Sequence, residues 1–255
     1  MQEGLFAAHH TLEERHWWFR ARRRALLEIG TPLLPPGGRI VDVGCGTGAD
    51  LASFSSSYDR HGIDVSATAI AFARKRHEGV HFQVGALPGA GADTIGNADL
   101  VLLCDVLEHI EHDAEFLGWL ISTMKPAAHL QITVPADPRL WSPHDEVYGH
   151  YRRYTADSLS ALWAGLPVHV RLLAPFNRIL YPVARLARSF ARRRGASWGS
   201  ERSDLAMPWA PANWLLERLF SLEVPALRTD LESGRASVRG HGVRLIVVLR
   251  IEDRR

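Results

Sequence analysis

The sequence predicts an α/β protein: a seven-stranded, mostly parallel sheet with helices on both faces, an N-terminal helix, and a helical insertion before the last strand. Three observations predict it. Apolar β-branched runs alternate with helix-like stretches, the pattern of a parallel sheet covered on both sides. The stretch Arg39 to Asp50, "RIVDVGCGTGAD", drives one such run straight into three glycines. A chain of 255 residues with 46% hydrophobic content can bury one large core, which excludes a disordered or fibrous protein.

Each element has its own justification. Strands are expected near 39–43, 60–63, 80–84, 98–103, 128–134, 167–173 and 243–251, with helices near 48–57, 66–77 and 113–124 between the first five. Residues 11–29 read as a helix, with Thr11 as cap, Glu14 at the capping-box position and Trp17, Trp18, Leu26 and Leu27 as apolar surface. Pro35, Pro36, Gly37 and Gly38 end it. Residues 174–240 fall outside the alternation and read as an insertion. The organisation is then a helical lid over 1–36, a core over 37–173, a cap over 174–240 and a final strand within 241–255.

Composition narrows the partners. No apolar run has the length of a signal peptide or a membrane span, so a cytoplasmic location is expected. Cys45 and Cys104 are too few for a disulfide framework and read as reduced thiols. Net charge is +2, and 28 of the 30 basic residues are arginine, a bias of composition rather than a nucleic-acid footprint. Oligomeric state is not legible.

The glycines of "VDVGCGTGAD" permit a tight turn and close ligand approach, with a following helix offering N–H groups. Gly44-x-Gly46-x-x-Ala49 formally satisfies the dinucleotide fingerprint, so a nicotinamide cofactor stays open on the glycines alone. Asp42 inside the strand and Gly48 shift the balance. Asp64 in "HGIDVS" lies 22 residues after Asp42, where a carboxylate ending a second strand can take both ribose hydroxyls.

With "DVGCGTG", "GIDVS", "ADLVLLCDVLEHI" and "MKPAAHLQITVP" in order, residues 36–173 resemble the class I S-adenosylmethionine-dependent methyltransferases, of Rossmann-like fold. The resemblance implies S-adenosyl-L-methionine as cofactor, with Gly44, Cys45, Gly46 and Gly48 along its methionine part and Asp64 and Val65 at the ribose. Cys104 and Asp105 would border the sulfonium, Glu108 and His109 would open the next helix, and His109 is expected among the cofactor contacts. Relatives often carry an acid near Ala86; its absence from "VGALP" leaves adenine to backbone and Leu87. "LEH" is similar to the subgroup containing quinone and small-molecule enzymes. "HWWFRARR" and "WSPHDEVYGHYRRYT" resemble a narrower bacterial group. Trp17, Trp18 and Phe19 read either as ordinary helix packing or as a lid over the cofactor, with Arg20 or Arg22 near its carboxylate. The runner-up readings are a cofactor-binding module without methyl transfer and a nicotinamide oxidoreductase.

The acceptor side is expected in "WSPHDEVYGHYRRY", after the fifth strand, where α/β ligands bind. His144 and His150 suit a general base, Asp145 can orient one of them, and Tyr148, Tyr151, Arg152, Arg153 and Tyr154 can bind a polar or anionic acceptor. No metal site is expected from His144, Asp145 and Glu146, since adjacent residues rarely converge on one ion. In "PFNRILYPVARLARSF", Phe176, Ile179, Leu180, Val183, Leu186 and Phe190 fall at helical spacing, with a kink at Pro182. Residues 171–202 carry eight arginines against Glu201 alone, and such a basic, apolar-striped segment could cap an apolar acceptor, bury a subunit interface or rest peripherally on an anionic membrane; the acceptor expected is a small molecule or lipid-like.

Overall fold

The structure, a computed structural model, describes residues 3–193, 207–234 and 240–253. Seven strands form one sheet: β1 Arg39–Val43, β2 Asp59–Asp64, β3 His81–Val84, β4 Leu100–Cys104, β5 His129–Pro135, β6 Val168–Phe176 and β7 Arg244–Ile251. Their spatial order is β3-β2-β1-β4-β5-β7-β6. The first five strands pair in parallel, and β7 runs antiparallel to both β5 and β6. The expected seven-stranded, mostly parallel fold is therefore present. Chain order reverses between β1 and β4, which opens a crevice at their carboxyl ends.

Both faces are covered. Val41, Val43, Val101, Leu103, Leu130 and Ile132 point to one side, against Leu117, Leu120 and Ile121 of α6 (Asp113–Thr123). On the other side, Ile40, Leu100 and Leu102 meet Ile70 and Ala73 of α4 (Ala67–Arg76) and Leu51 of α3 (Ala49–Ala52). Leu172, Phe176, Ile246 and Val248 meet Ile29 of α2 (Trp17–Gly30), Phe220 of α10 (Ala210–Ser221) and Leu227 of α11 (Val224–Glu232). Strands buried on both faces read as near-continuous apolar runs; β4 is unbroken, while Asp42 interrupts β1 and Gln131 and Thr133 interrupt β5. The short α5 (Ala92–Gly96) and α8 (Ala156–Ser160) complete the connections.

Three local expectations fail for physical reasons. The single helix over 11–29 is two helices, α1 (Glu3–Leu12) and α2, because Glu13 turns inward and accepts from Thr47 Oγ1 at 2.5 Å and Arg76 Nη1 at 2.6 Å. Thr11 instead donates to the Ala7 carbonyl inside α1, and His16 caps α2 by accepting from Trp18 N. Phe176 does not belong to a helical stripe: it ends β6, paired with Arg244, and is buried. The helix there, α9 (Tyr181–Arg193), starts late enough that Pro182 sits in its first turn, where proline causes no kink.

Candidate active site

A cavity of about 860 Å³ lies at the carboxyl ends of β1, β2 and β4, beneath α1, α2, α9 and α10. Its floor is the glycine loop. Gly44, Gly46 and Gly48 all have positive φ, but they serve different ends. A Cβ on Gly44 would lie 2.5 Å from Val106, and one on Gly48 2.6 Å from Phe82. Those two glycines are required by packing. A Cβ on Gly46 would meet nothing within 4 Å, so Gly46 is the one whose missing side chain leaves room for a ligand. The expected helix dipole is not available: α3 has only four residues, and the N–H groups of Gly44, Cys45, Gly46 and Gly48 are already donated within the loop or to β2.

Asp64 ends β2 with its side chain fixed by two backbone N–H groups, from Gly46 to Oδ2 and from Ser66 to Oδ1, both at 2.8 Å. Each oxygen keeps a lone pair, which suits a vicinal diol. Val65 lines the cavity rim beside it. Cys104 and Asp105 form the β4 side. Burial opposes the Asp105 charge, but Arg244 and Arg22 overcome it and hold the carboxyl below its usual range. Arg22 also pairs with Asp50, so α2 is tied to two acids of the site. Asp42 is buried behind the loop, and burial, with Asp50 nearby, pushes its carboxyl well above the usual range. Burial also raises both thiols, Cys45 and Cys104, out of the reactive range.

The far end of the cavity is rich in histidine. His144 comes from α7 (Pro143–Val147), His150 from the loop after it, and His109 from the 3-10 turn Leu107–His109. Glu108 and His109 thus precede α6 by a loop rather than open it. Asp145 stands behind His150, outside the cavity and fully buried. It meets His150 Nδ1 at 2.9 Å, receives Arg153 Nε and Nη2 at 2.8 and 3.1 Å, and caps α7 through Ser142 N at 2.9 Å. Burial works against this carboxylate, and His150 and Arg153 hold it far below its usual range. Burial, then Asp105, lifts the Glu108 carboxyl to about 8, while burial and then His150 lower His109 to about 4.

The structure brings Trp17, Arg22, Asp42, Gly44, Cys45, Gly46, Asp64, Val65, Cys104, Asp105, His109, His144, Tyr148, His150 and Arg153 to this one cavity. It does not bring Gly48, Ala86, Leu87, Asp145, Tyr151, Arg152 or Tyr154 there. Leu87 packs on the core, Ala86 is exposed, and Arg152 and the Tyr154 hydroxyl are spent on Asp113 at 2.6 and 2.7 Å. Sequence reasoning missed His9, Glu13, Thr47, Asp50, Asn177 and Arg244, which also line the cavity. Only Glu13 and Asp50 carried a signal, as acids flanking a helix and the glycine loop.

The fold and the place of this crevice are those of the class I S-adenosylmethionine-dependent methyltransferases. Residues 13–166 match the family model described as a methyltransferase domain, and the chain belongs to that family. An O-methyltransferase from Pyrenophora dematioidea is 33% identical over 121 residues, which are 44% of this chain and 45% of that protein. The chain therefore spans less than half the length of this curated relative. Among solved structures, a methyltransferase bound to the Haloferax volcanii Trm112 activator is similar with a TM-score of 0.60, 16% identity and coverage of 99% and 96% of the two chains. The plantazolicin methyltransferase BamL is similar with a TM-score of 0.51 and 15% identity over 93% and 90%. Such low identities show the fold.

Proposed function

We propose that the protein transfers a methyl group from S-adenosylmethionine to a small-molecule or lipid-like acceptor by in-line displacement. The observation that carries this reading is that one continuous cavity joins the Gly46–Asp64 cradle to the histidine-rich end under α9. Donor and acceptor can thus lie end to end, and alignment with exclusion of water supplies much of the rate. S-adenosylmethionine supplies an activated methyl group on sulfur. The chain's own residues do the rest. Asp64 accepts the ribose hydroxyls, Gly46 admits the ligand against the backbone, and Arg22 sits within reach of a carboxylate. At the acceptor end, His150 is held by Asp145 so that Nε2 is the nitrogen left to act on the acceptor. Asp145 is a positioning residue. The name of the curated relative favours oxygen as the methylated atom.

The test is formation of S-adenosylhomocysteine with a panel of lipids, sugars and phenols, read by mass spectrometry. Turnover with at least one acceptor is expected, and His150→Ala should lower it about 100-fold with donor affinity nearly intact. Donor binding without turnover on any acceptor would favour a cofactor-binding module instead.

Membrane contact is supported by α9. Leu180, Val183, Ala184 and Arg188 wall the cavity, while Val183, Leu186, Phe190 and Arg185 are exposed. Arg188 is turned inward to the Leu140 carbonyl and Asp145, so it does not join the basic surface; the side chains of Arg192 to Arg194 lie outside the described residues. Co-sedimentation with anionic but not neutral vesicles, lost as salt rises, is the expected outcome. Indifference to both vesicle types would assign the α9 surface to a soluble acceptor or a second subunit.

A further inference from the structure

We propose that Glu108, His109 and His150 form a binding site for one first-row divalent cation, such as Zn²⁺ or Mn²⁺, at the acceptor end of the cavity. Glu108 and His109 lie about 40 residues from His150 along the chain, so no local motif joins them. The fold staples those segments: Tyr151 N donates to the Glu108 carbonyl at 2.7 Å, which sets His150 beside the 3-10 turn. A ligating atom from each side chain then lies within 4.8 Å of the other two, and all three residues line the cavity. An ion bonding each at about 2.0–2.2 Å would draw them together by small side-chain rotations.

Glu108 is the independent observation. It is 0% exposed, and neither carboxylate oxygen has a hydrogen-bond partner among the described residues. The nearest cation, Arg244 Nη1, stands 3.8 Å from Oε1 and is already committed to Asp105. A buried carboxylate with no partner is costly, and natural interiors rarely retain one without a bound group to satisfy it. A metal ion supplies that group.

The histidines are arranged as ligands are. Asp145 meets His150 Nδ1 at 2.9 Å, so that imidazole is oriented through one nitrogen and offers the other, and the His109 ring stands edge to face with it at 4.7 Å between centroids. Such outer partners fix tautomer and direction at metal centres. Two imidazoles and one carboxylate select zinc, manganese or iron over magnesium and calcium, which prefer oxygen throughout. Three protein ligands leave coordination positions open toward the cavity. In a step that rests on the methyl-transfer reading but gives His150 Nε2 to the ion instead of to the acceptor proton, the ion binds an acceptor hydroxyl and acidifies it. The proton passes to solvent, the oxygen takes the methyl group, and the electron pair of the broken C–S bond stays on sulfur.

The experiment is calorimetric titration of the chelator-stripped full chain with Zn²⁺, Mn²⁺ and Mg²⁺ alone, without donor or acceptor. One Zn²⁺ or Mn²⁺ per chain is expected, with Mg²⁺ at least 100-fold weaker. Glu108→Gln, which keeps shape and removes the charge, and His150→Ala should each weaken Zn²⁺ at least 100-fold while circular dichroism stays unchanged. Absence of saturable 1:1 binding overturns the site, as does binding that both variants leave intact. Separate titration of the same samples with S-adenosylmethionine distinguishes the two readings. Donor binding without ion binding removes the metal alone, whereas ion binding without donor binding removes methyl transfer and leaves the metal site standing.

Discussion

Asp145→Ala is expected to destabilise the protein by about 3–5 kcal/mol, the scale for breaking one partner out of a buried ion pair. The carboxylate is wholly buried and serves four groups at once: His150, the Arg153 fork, and the backbone and hydroxyl of Ser142. Alanine would leave the Arg153 guanidinium buried with only the Ala136 carbonyl as a hydrogen-bond partner, and would uncap α7. In a chain of this size such a loss lowers the melting temperature on the order of 10 °C. Asp145→Asn keeps one acceptor oxygen and should cost less. Thermal and urea denaturation measure both, and a loss below about 1 kcal/mol for alanine would mean that Arg153 does not depend on Asp145.

The second large effect belongs to the donor. Asp64→Ala should weaken S-adenosylmethionine binding by about 2–4 kcal/mol, the scale of losing charge-assisted hydrogen bonds to two hydroxyls. The structure adds an indirect contribution in the same direction. Without the carboxylate, the N–H groups of Gly46 and Ser66 lose their acceptor, and the turn at Gly46 is no longer tied to the end of β2. Asp64→Asn retains part of that tie and should fall between. Calorimetry on folded variants reads the difference, and an unchanged affinity for Asp64→Ala would displace the cofactor from this position.

The donor half of the site was legible because its parts are local. Strand, glycines and second-strand acid are each fixed by a few consecutive residues, and β4 reads as a continuous apolar run. Even there the reading was coarse. Nothing in "GCGTG" says that Gly44 and Gly48 answer to Val106 and Phe82 while Gly46 alone faces open space. The acceptor half depends on contacts between distant segments. "PHDEVYGHYRRY" marked Asp145 as a partner for a histidine, but its burial and its hold on Arg153 follow from packing. Tyr154 looked like an acceptor contact and is instead a core residue that reaches Asp113. Glu13 was hidden because a capping pattern at Thr11 and Glu14 offers a local solution, which the inward turn of Glu13 overrides. Phe176 fitted a helical stripe by spacing, yet the ladder to β7 claimed it for the sheet.

The central claim is that the Gly46–Asp64 cradle holds S-adenosylmethionine, not a dinucleotide. Parallel calorimetric titrations of the wild-type chain with S-adenosylmethionine and with NAD test it most directly. The geometry predicts one S-adenosylmethionine per chain with saturable heat, and no saturable heat with NAD. Binding of NAD with no response to S-adenosylmethionine would contradict it.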